Sequence, residues 1–528
     1  MPPKDQGTYS SGRWDKMRTW RSKGPKGKKM LSPMALLNDV GSMHFFAIGL
    51  LLYTIYWALH PRFLSPLKEI PGPWYAVYTK RWLVWKTVKG VRAKTIHELH
   101  LKYGPWVRIA PNEVSTCDPQ AIVPIYGVSS AYIKTEFYTY QLRGVPELFT
   151  MSDRKQHARR RRELSHLFSM STITEYEPVI AKQVKNCMDF VADEGKTGRV
   201  SNLYDWWHYL SMDIICDLSF GSTFNMLQDG ASNAYIKDLY GSLQIEPVRW
   251  HFGWLNKYAA WAPLKFVREA EACSVRAMDR GAKLVRDYVE NPEKKRRKDL
   301  LQKMLDARDE EGRPLSVDAL NTEAAGFILA GSHTTSSSLT WIVWRIMKSP
   351  AILARLRKEL DEVLTGLPRD EVPMHSKLEG LTYFNCVIKE GLRIDTAVPG
   401  STPRYVPPEG TNINGHKLSG GSIVSAQAYS CHRDPAVFPN PDEFLPERWQ
   451  DETPEMRKLY IPFGADGPRK CIGIWLAYME LRVILAALFH RFDLEFAHEV
   501  DDASMELDEF WLANPIGQHL DVVATERS

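Results

Sequence analysis

Phe463-Gly464-Ala465-Asp466-Gly467-Pro468-Arg469-Lys470-Cys471-Ile472-Gly473 sets one cysteine among glycines and basic residues. A lone cysteine is ordinarily a small buried hydrophobe. Here the glycines let the backbone close tightly around something flat and bulky. Arg469, two residues before the cysteine, is placed to hold a carboxylate. The stretch therefore describes a seat for a flat, carboxylate-bearing group bound through the sulfur of Cys471. The other cysteines (117, 187, 216, 273, 386 and 431) are scattered, with no Cys-x-x-Cys among them. That spacing argues against a disulfide framework and against a structural zinc site.

The 528 residues are 44% hydrophobic and 25% charged, enough for a large core and incompatible with global disorder. Residues 1–38 hold nine Lys/Arg against Asp5 and Asp15, so the rest of the chain carries about −2 of the net charge of +5. A nearly neutral body gives no reason to expect nucleic acid as a partner. No Asn-x-Ser/Thr acceptor occurs, which favours a body facing the cytosol.

Val40 to His60 contains no Asp, Glu, Lys or Arg. At 1.5 Å per residue a helix over this run reaches about 30 Å, the thickness of a bilayer core. Tyr53, Tyr56 and Trp57 suit its interface. Ile70-Pro71-Gly72-Pro73-Trp74 follows as a stiff, non-helical spacer. The sequence thus divides into a basic extension (1–39), a single transmembrane anchor (40–60), a proline-rich hinge (61–75) and one large domain (76–528). Basic residues flank both sides of the anchor, so the positive-inside rule gives a mixed orientation. A start of translation at Met30 or Met34 would remove most of the basic tail.

Beyond the anchor, helical periodicity covers 153–170, 174–194, 266–290, 315–348, 349–365, 378–395 and 472–490. Short extended pieces stand at 106–110, 400–406 and 422–427. The fold class expected is mainly α with a small β component. Glu293-Lys294-Lys295-Arg296-Arg297-Lys298 reads as a solvated loop.

Four further motifs accompany the cysteine. Glu390-Gly391-Leu392-Arg393 puts an acid and an arginine on one helix face. Phe444-Leu445-Pro446-Glu447-Arg448-Trp449 follows His432-Arg433-Asp434-Pro435. Ala330-Gly331-Ser332-His333-Thr334-Thr335 lies inside a long helical run, where Gly, Ser and Thr are poor helix formers. Asp153-Arg154-Lys155-Gln156-His157-Ala158-Arg159-Arg160-Arg161-Arg162 places His157 and Arg161 on one face. Taken in order with the cysteine loop, these motifs resemble the cytochrome P-450 family across roughly residues 70–520.

The resemblance implies a haem b held by Cys471 as axial iron ligand, with Gly467, Gly473 and Phe463 shaping the loop. Arg469, His157, Arg161 and Arg404 would hold the haem propionates. Glu390, Arg393 and Arg448 would form a buried structural network behind the loop. Thr334 would act at a kink over the iron that admits dioxygen and water. His333 stands where the family usually has Asp or Glu, and histidine can relay protons near neutral pH. The chain departs from the family once more, with one extra residue between Phe463 and Cys471.

The implied activity is that of a monooxygenase of the fungal microsomal type. NADPH would act indirectly, through a separate NADPH–cytochrome P-450 reductase, with cytochrome b5 as a further donor. The arginines of 154–162 would offer such a donor a basic surface. The expected substrate is a small apolar molecule, in secondary-metabolite biosynthesis. Its pocket would be lined by Tyr132–Phe149, Phe327–Thr334, Val398–Thr402 and Phe510–Ile516. The implied location is the endoplasmic reticulum membrane, single-pass, with the catalytic domain cytosolic. Two rivals stand beside this reading: a thiolate-haem isomerase or dehydratase that uses no dioxygen, and a non-catalytic haem-binding membrane protein.

Overall fold

A computed structural model of the chain describes residues 33–139, 145–243, 258, 261, 264–291, 299–308, 311–498 and 501–528. The basic tail before residue 33, Met30 and the charged run 293–298 lie outside the described residues. The chain divides into two units, Met1–His60 and Pro61–Ser528. Helices of ten residues or more are numbered here in chain order.

In the first unit α1 (Pro33–Leu59) is one helix of 27 residues. Its apolar side chains, Phe45, Phe46, Leu50 and Leu52 among them, are exposed. Among the described residues no helix is long and apolar enough to cross a membrane. The helix expected over 40–60 is present, but a transmembrane span is not shown. The strongly apolar stretch Phe45–Leu59 reaches only about 22 Å as a helix, short of a bilayer core of about 30 Å.

The second unit is mainly helical. It contains α2 (Arg92–Tyr103), α3 (Arg154–Ser165), α4 (Met170–Lys196), α5 (Leu203–Phe220) and α6 (Ala234–Leu243). Then come α7 (Lys265–Glu290), α8 (Val317–Met347), α9 (Pro350–Val363), α10 (Thr382–Ile394) and α11 (Ile474–Arg491). Capping fixes several of the starts. Asp153 accepts a hydrogen bond from the Gln156 N–H (2.7 Å), and Ser316 one from that of Ala319 (3.2 Å); each removes an orphan donor of the first turn.

The proline-rich segment expected as a spacer is packed instead. Leu67 and Ile70 are buried, and the Arg108 N–H donates to the Pro71 carbonyl at 2.7 Å. A Cβ on Gly72 would stand 2.3 Å from the Arg108 carbonyl oxygen, so glycine is required by the close approach of two backbones. Proline stiffness and edge-strand pairing are compatible, because proline keeps its carbonyl acceptor.

β1 (Trp106–Ala110), β2 (Glu113–Thr116), β3 (Ile133–Lys134), β4 (Arg404–Tyr405) and β5 (Ile423–Ser425) form one sheet, in the order β1-β2-β5-β4-β3. β3 and β4 pair antiparallel with Lys134 opposite Arg404. This register sets two buried cations side by side.

α8 is the axis of the core. It packs most extensively on α5 and also touches α10 and α11. Gly331 permits the contact with α5: a Cβ there would already stand 3.0 Å from Ile215 Cδ1 and Cγ1. The expected kink is not seen, and α8 runs unbroken through 317–347. The hydroxyls of Ser332, Thr334, Ser338 and Thr340 donate to the carbonyls four residues back, those of Ile328, Ala330, Thr334 and Ser336. The Ser/Thr cluster thereby satisfies itself along the helix rather than opening it.

Candidate active site

The cysteine loop is closed by its own backbone. The Cys471 N–H donates to the Phe463 carbonyl at 2.9 Å, and the Gly464 N–H to that of Ile461 at 3.0 Å. Gly464 takes φ +77°, a left-handed turn open to glycine. The extra residue lies within this closed loop, where Lys470 pairs with exposed Asp466 at 2.6 Å. Phe463 rests against Tyr478 of α11, ring centres 5.2 Å apart. Gly467 is demanded by crowding, since a Cβ there would meet the Tyr126 carbonyl oxygen at 2.0 Å. By contrast, nothing lies within 4 Å of where a Cβ on Gly473 would stand.

Cys471 is the one exposed cysteine; the six others are buried. Protein nevertheless surrounds its sulfur, and burial is the largest influence on its thiol, pushing the pKa up. The two observations agree if the exposed surface of the sulfur faces an internal space. The Gly473 N–H and the cations Arg161 and Lys470 pull the pKa back down. Arg161 is brought to this side, donating to the Lys470 carbonyl at 2.7 Å.

A second cluster gathers next to the loop. Arg404 is buried and donates to the Tyr138 hydroxyl (2.7 Å) and the Pro403 carbonyl (2.9 Å). Arg469 donates to the carbonyls of Met151 (2.6 Å) and Ser152 (3.2 Å). Burial, then Arg404, lowers the pKa of Arg469 to about 10. His157 is held down to about 3 by burial, then by Arg469, Lys134, Arg161 and Arg404. Sequence reasoning missed Lys134 and Tyr138. Lys134 is buried at the Phe149 carbonyl and over the Tyr138 ring, with its pKa lowered by burial, Arg404 and Arg469. Its signal in the sequence, a lysine in an extended segment, is too common to read.

Lys134, Arg404 and Arg469 are spent on carbonyls and a phenol, and none is in an ion pair among the described residues. Like charges facing each other across a ladder are destabilising, and the nearby carboxylates of Glu147 and Asp153 offset this only in part, since burial and the neighbouring cations still hold the pKa values of Lys134 and Arg469 down. The cluster therefore fits an anionic group. Together with the exposed Cys471 four residues from Gly467, the donor set fits haem: Cys471 for the iron; Arg404, Arg469, Lys134 and His157 for the propionates. Bound there, haem supplies the redox chemistry that activates dioxygen.

Behind the loop lies the buried network expected from the sequence. Arg393 donates to both Glu390 carboxylate oxygens (2.8 and 2.9 Å), and neither side chain is exposed. The same carboxylate accepts from Arg448 (3.0 Å), Trp449 (2.9 Å) and the Leu445 N–H (3.0 Å). His432 links this network to the loop. Its Nδ1 meets the Arg393 carbonyl (2.8 Å), and its Nε2 accepts from the Ile461 N–H (2.9 Å). The Nε2 acceptor fixes a neutral imidazole with its proton on Nδ1.

Along α8, Ala330 is exposed and Phe327, Gly331 and Thr334 half-buried, one face at spacings of three and four. His333 points elsewhere. It is buried against His208 and Tyr240, ring centres 5.6 and 5.3 Å away. Burial, then His208, lowers its pKa to about 3, so it stays neutral across the physiological range. The structure does not bring it to Thr334's face. A histidine neutral when folded protonates preferentially when unfolded, so its contribution to stability is lost as pH falls below the unfolded value of about 6.5. The melting temperature by circular dichroism is accordingly expected to fall between pH 6.5 and 4, and less steeply in His333→Phe.

One cavity has a volume of about 410 Å³ and is lined by Thr135, Phe137, Ser401, Pro403, Glu509 and Trp511 among others. Three of the four segments expected to line a substrate pocket contribute to it. Phe327–Thr334 and Cys471 do not, so this space adjoins the sheet rather than the sulfur. Residues 140–144 of the first segment lie outside the described residues.

Fold and site together define a haem-thiolate protein, and the comparisons give it a family. The sequence model described as "Cytochrome P450" matches residues 71–519. The chain is 36% identical to "Cytochrome P450 monooxygenase tazI" of Aspergillus terreus, over 84% of this chain and 90% of that protein. It is 32% identical to "Benzoate 4-monooxygenase bphA" of Aspergillus niger, over 89% and 95%. To "Averantin hydroxylase" of Aspergillus parasiticus it is 30% identical, over 86% and 90%. The chain belongs to the cytochrome P-450 family, and it is a haem-thiolate monooxygenase. The isomerase and non-catalytic readings lose their ground: the relatives carry monooxygenase names, and the Glu390 network and Thr334 are intact.

Proposed function

We propose that the protein inserts one oxygen atom from dioxygen into a small apolar organic substrate in fungal secondary metabolism, the second atom leaving as water. The observation that carries the reading is the placement of Cys471, the one exposed cysteine, two residues from Arg469, which like buried Arg404 forms no ion pair among the described residues. The relatives' names, one a benzoate 4-monooxygenase, support an organic substrate with a ring or chain carbon to be oxidised. Two electrons come from NADPH through a separate reductase, with cytochrome b5 as a further donor. Arg154, Lys155 and Arg162, the exposed cations of α3, offer an acidic donor a basic docking face, whereas Arg159 and Arg160 are paired with Glu163.

Each residue has a distinct task in this reading. Cys471 donates its sulfur to the iron. Arg404 and Arg469 would meet the carboxylates of the cofactor with charge, Lys134 and His157 would hydrogen-bond them, and Arg161 holds the loop side through the Lys470 carbonyl. Thr334, half-buried on the inward face of α8, has a hydroxyl that already donates to Ala330 (2.7 Å) and is free to accept. It orders a proton donor on that face. Thr334→Ala is expected to keep the haem absorption and protein stability while raising hydrogen peroxide released per NADPH several-fold. Unchanged peroxide yield in a reconstituted system would remove that role. The catalytic domain sits on the cytosolic side of the endoplasmic reticulum membrane, with α1 and its exposed apolar side chains as the attachment. Deleting the gene and identifying the accumulated precursor by mass spectrometry tests the pathway reading. An unchanged metabolite profile would count against it.

A further inference from the structure

The segment 147–152, just ahead of α3, has a backbone sorted by polarity. Its N–H groups turn toward carboxylates. That of Leu148 donates to Glu323 Oε1 (3.0 Å), and those of Phe149 and Thr150 donate to the two carboxylate oxygens of Glu147 (2.7 and 2.9 Å). Its carbonyls turn toward cations. That of Phe149 accepts from Lys134, and those of Met151 and Ser152 accept from Arg469 (2.6 and 3.2 Å). Lys134 and Arg469 belong to the donor set for the propionates, so the segment is what aims them.

Glu323 anchors this segment. It lies in the second turn of α8 and is buried. The oxygen that takes the Leu148 N–H also takes Arg160 of α3 at 2.6 Å. One carboxylate oxygen thus ties α8, α3 and the segment together. Glu147 lies alongside: a Cβ on Gly326 of α8 would stand 3.6 Å from its Oε2. Oε2 of Glu323 is buried without a hydrogen-bond partner among the described residues, a cost that an apolar side chain at 323 would avoid. What offsets that cost is the hold of its other oxygen on two donors.

We propose that Glu323 is a positioning residue for the cofactor: by fixing the Leu148 N–H and Arg160, it holds segment 147–152 where Lys134 and Arg469 face the haem carboxylates. The inference deepens the haem-thiolate reading and rests on it.

The hydrogen bonds of Glu323 reach Leu148 and Arg160, not Lys134 or Arg469 themselves, so its effect passes through the segment. Removing the carboxylate leaves the Leu148 N–H buried and unsatisfied and frees Arg160 from α8. The carbonyls of 149, 151 and 152 then shift with the segment, and the two cations with them. Glutamine keeps an acceptor oxygen at the same reach. Aspartate keeps the charge but is one methylene shorter, so its oxygens cannot serve both donors at the same distances.

The experiment compares purified holoenzymes: wild type, Glu323→Gln, Glu323→Asp, Glu323→Ala and, as a packing control, Leu339→Ala at a buried position of α8 beyond Thr334. Haem transfer to excess apomyoglobin is timed by absorption at a temperature where all are folded, with the melting temperature measured beside it. Glu323→Gln is expected to release haem within about twofold of the wild-type rate, Glu323→Asp about threefold faster and Glu323→Ala at least about tenfold faster. Leu339→Ala should melt lower yet release haem at the wild-type rate. Combined with Arg469→Gln, Glu323→Ala should accelerate release less than it does alone, because both changes act on one donor.

A wild-type rate in Glu323→Ala, an equal acceleration in Leu339→Ala, or full additivity with Arg469→Gln would overturn the proposal. Should Glu323→Ala yield no holoenzyme, the aspartate and glutamine variants decide, and equal rates in these two would overturn it. A wild type without thiolate-type absorption under carbon monoxide would instead overturn the haem-thiolate reading, so the two failures are distinguishable.

Discussion

Cys471→Ala is expected to fold and to lose the thiolate haem absorption completely, and with it all oxygenation. The loop is closed by the backbone bond from Cys471 to Phe463 and anchored by Arg469 and Arg161. None of these contacts uses the sulfur, so far-ultraviolet circular dichroism should match wild type. What disappears is the only cysteine of the described residues with exposed surface. The other six are buried. Absorption of the reduced protein under carbon monoxide is the measurement. A thiolate-type band in this variant would sink the assignment of residue 471, whatever its activity.

Glu390→Ala is the second large effect. One carboxylate with no exposed surface accepts hydrogen bonds from Arg393, Arg448, Trp449 and the Leu445 N–H. Its removal strands the Arg393 guanidinium in the core. Breaking a buried pair by deleting one partner costs about 3–5 kcal/mol, a large share of the stability of a typical domain. The damage should reach the haem site, because His432 joins Arg393 to Ile461, two residues before Phe463. Haem bound per polypeptide is expected to fall to a small fraction of wild type, with a melting temperature lower by several degrees. Glu390→Gln keeps the shape and one acceptor oxygen, so it should fall between the two. Full haem content in Glu390→Ala would show that the network does not support the loop.

Much of this was legible in the chain. The helical periods over 266–290, 315–348 and 472–490 correspond to α7, α8 and α11 within one or two residues, because long amphipathic or apolar runs leave few alternatives. The spacing of Glu390 and Arg393 placed them on one helix face, but their burial behind the loop was readable only from resemblance. So was their third partner, since Arg448 is 55 residues beyond Arg393. Other features were out of reach. The Ser/Thr cluster of α8 looked like a break, but its hydroxyls found carbonyls one turn back. Ile70-Pro71-Gly72 looked like a spacer, yet its backbone pairs with β1. Lys134 carried no local mark at all.

The sequence by itself singled out Cys471 among the cysteines, the order of the helices and the shared helix face of Glu390 and Arg393, since these depend on residue type and short spacing. Tertiary structure decided which charges meet. Strand register set Lys134 against Arg404, and helix packing turned His333 toward His208 and away from Thr334. Those juxtapositions join residues far apart in the chain, and burial there changes which protons they keep. Neither effect leaves a trace in local sequence, because both arise only when distant surfaces exclude water from one another.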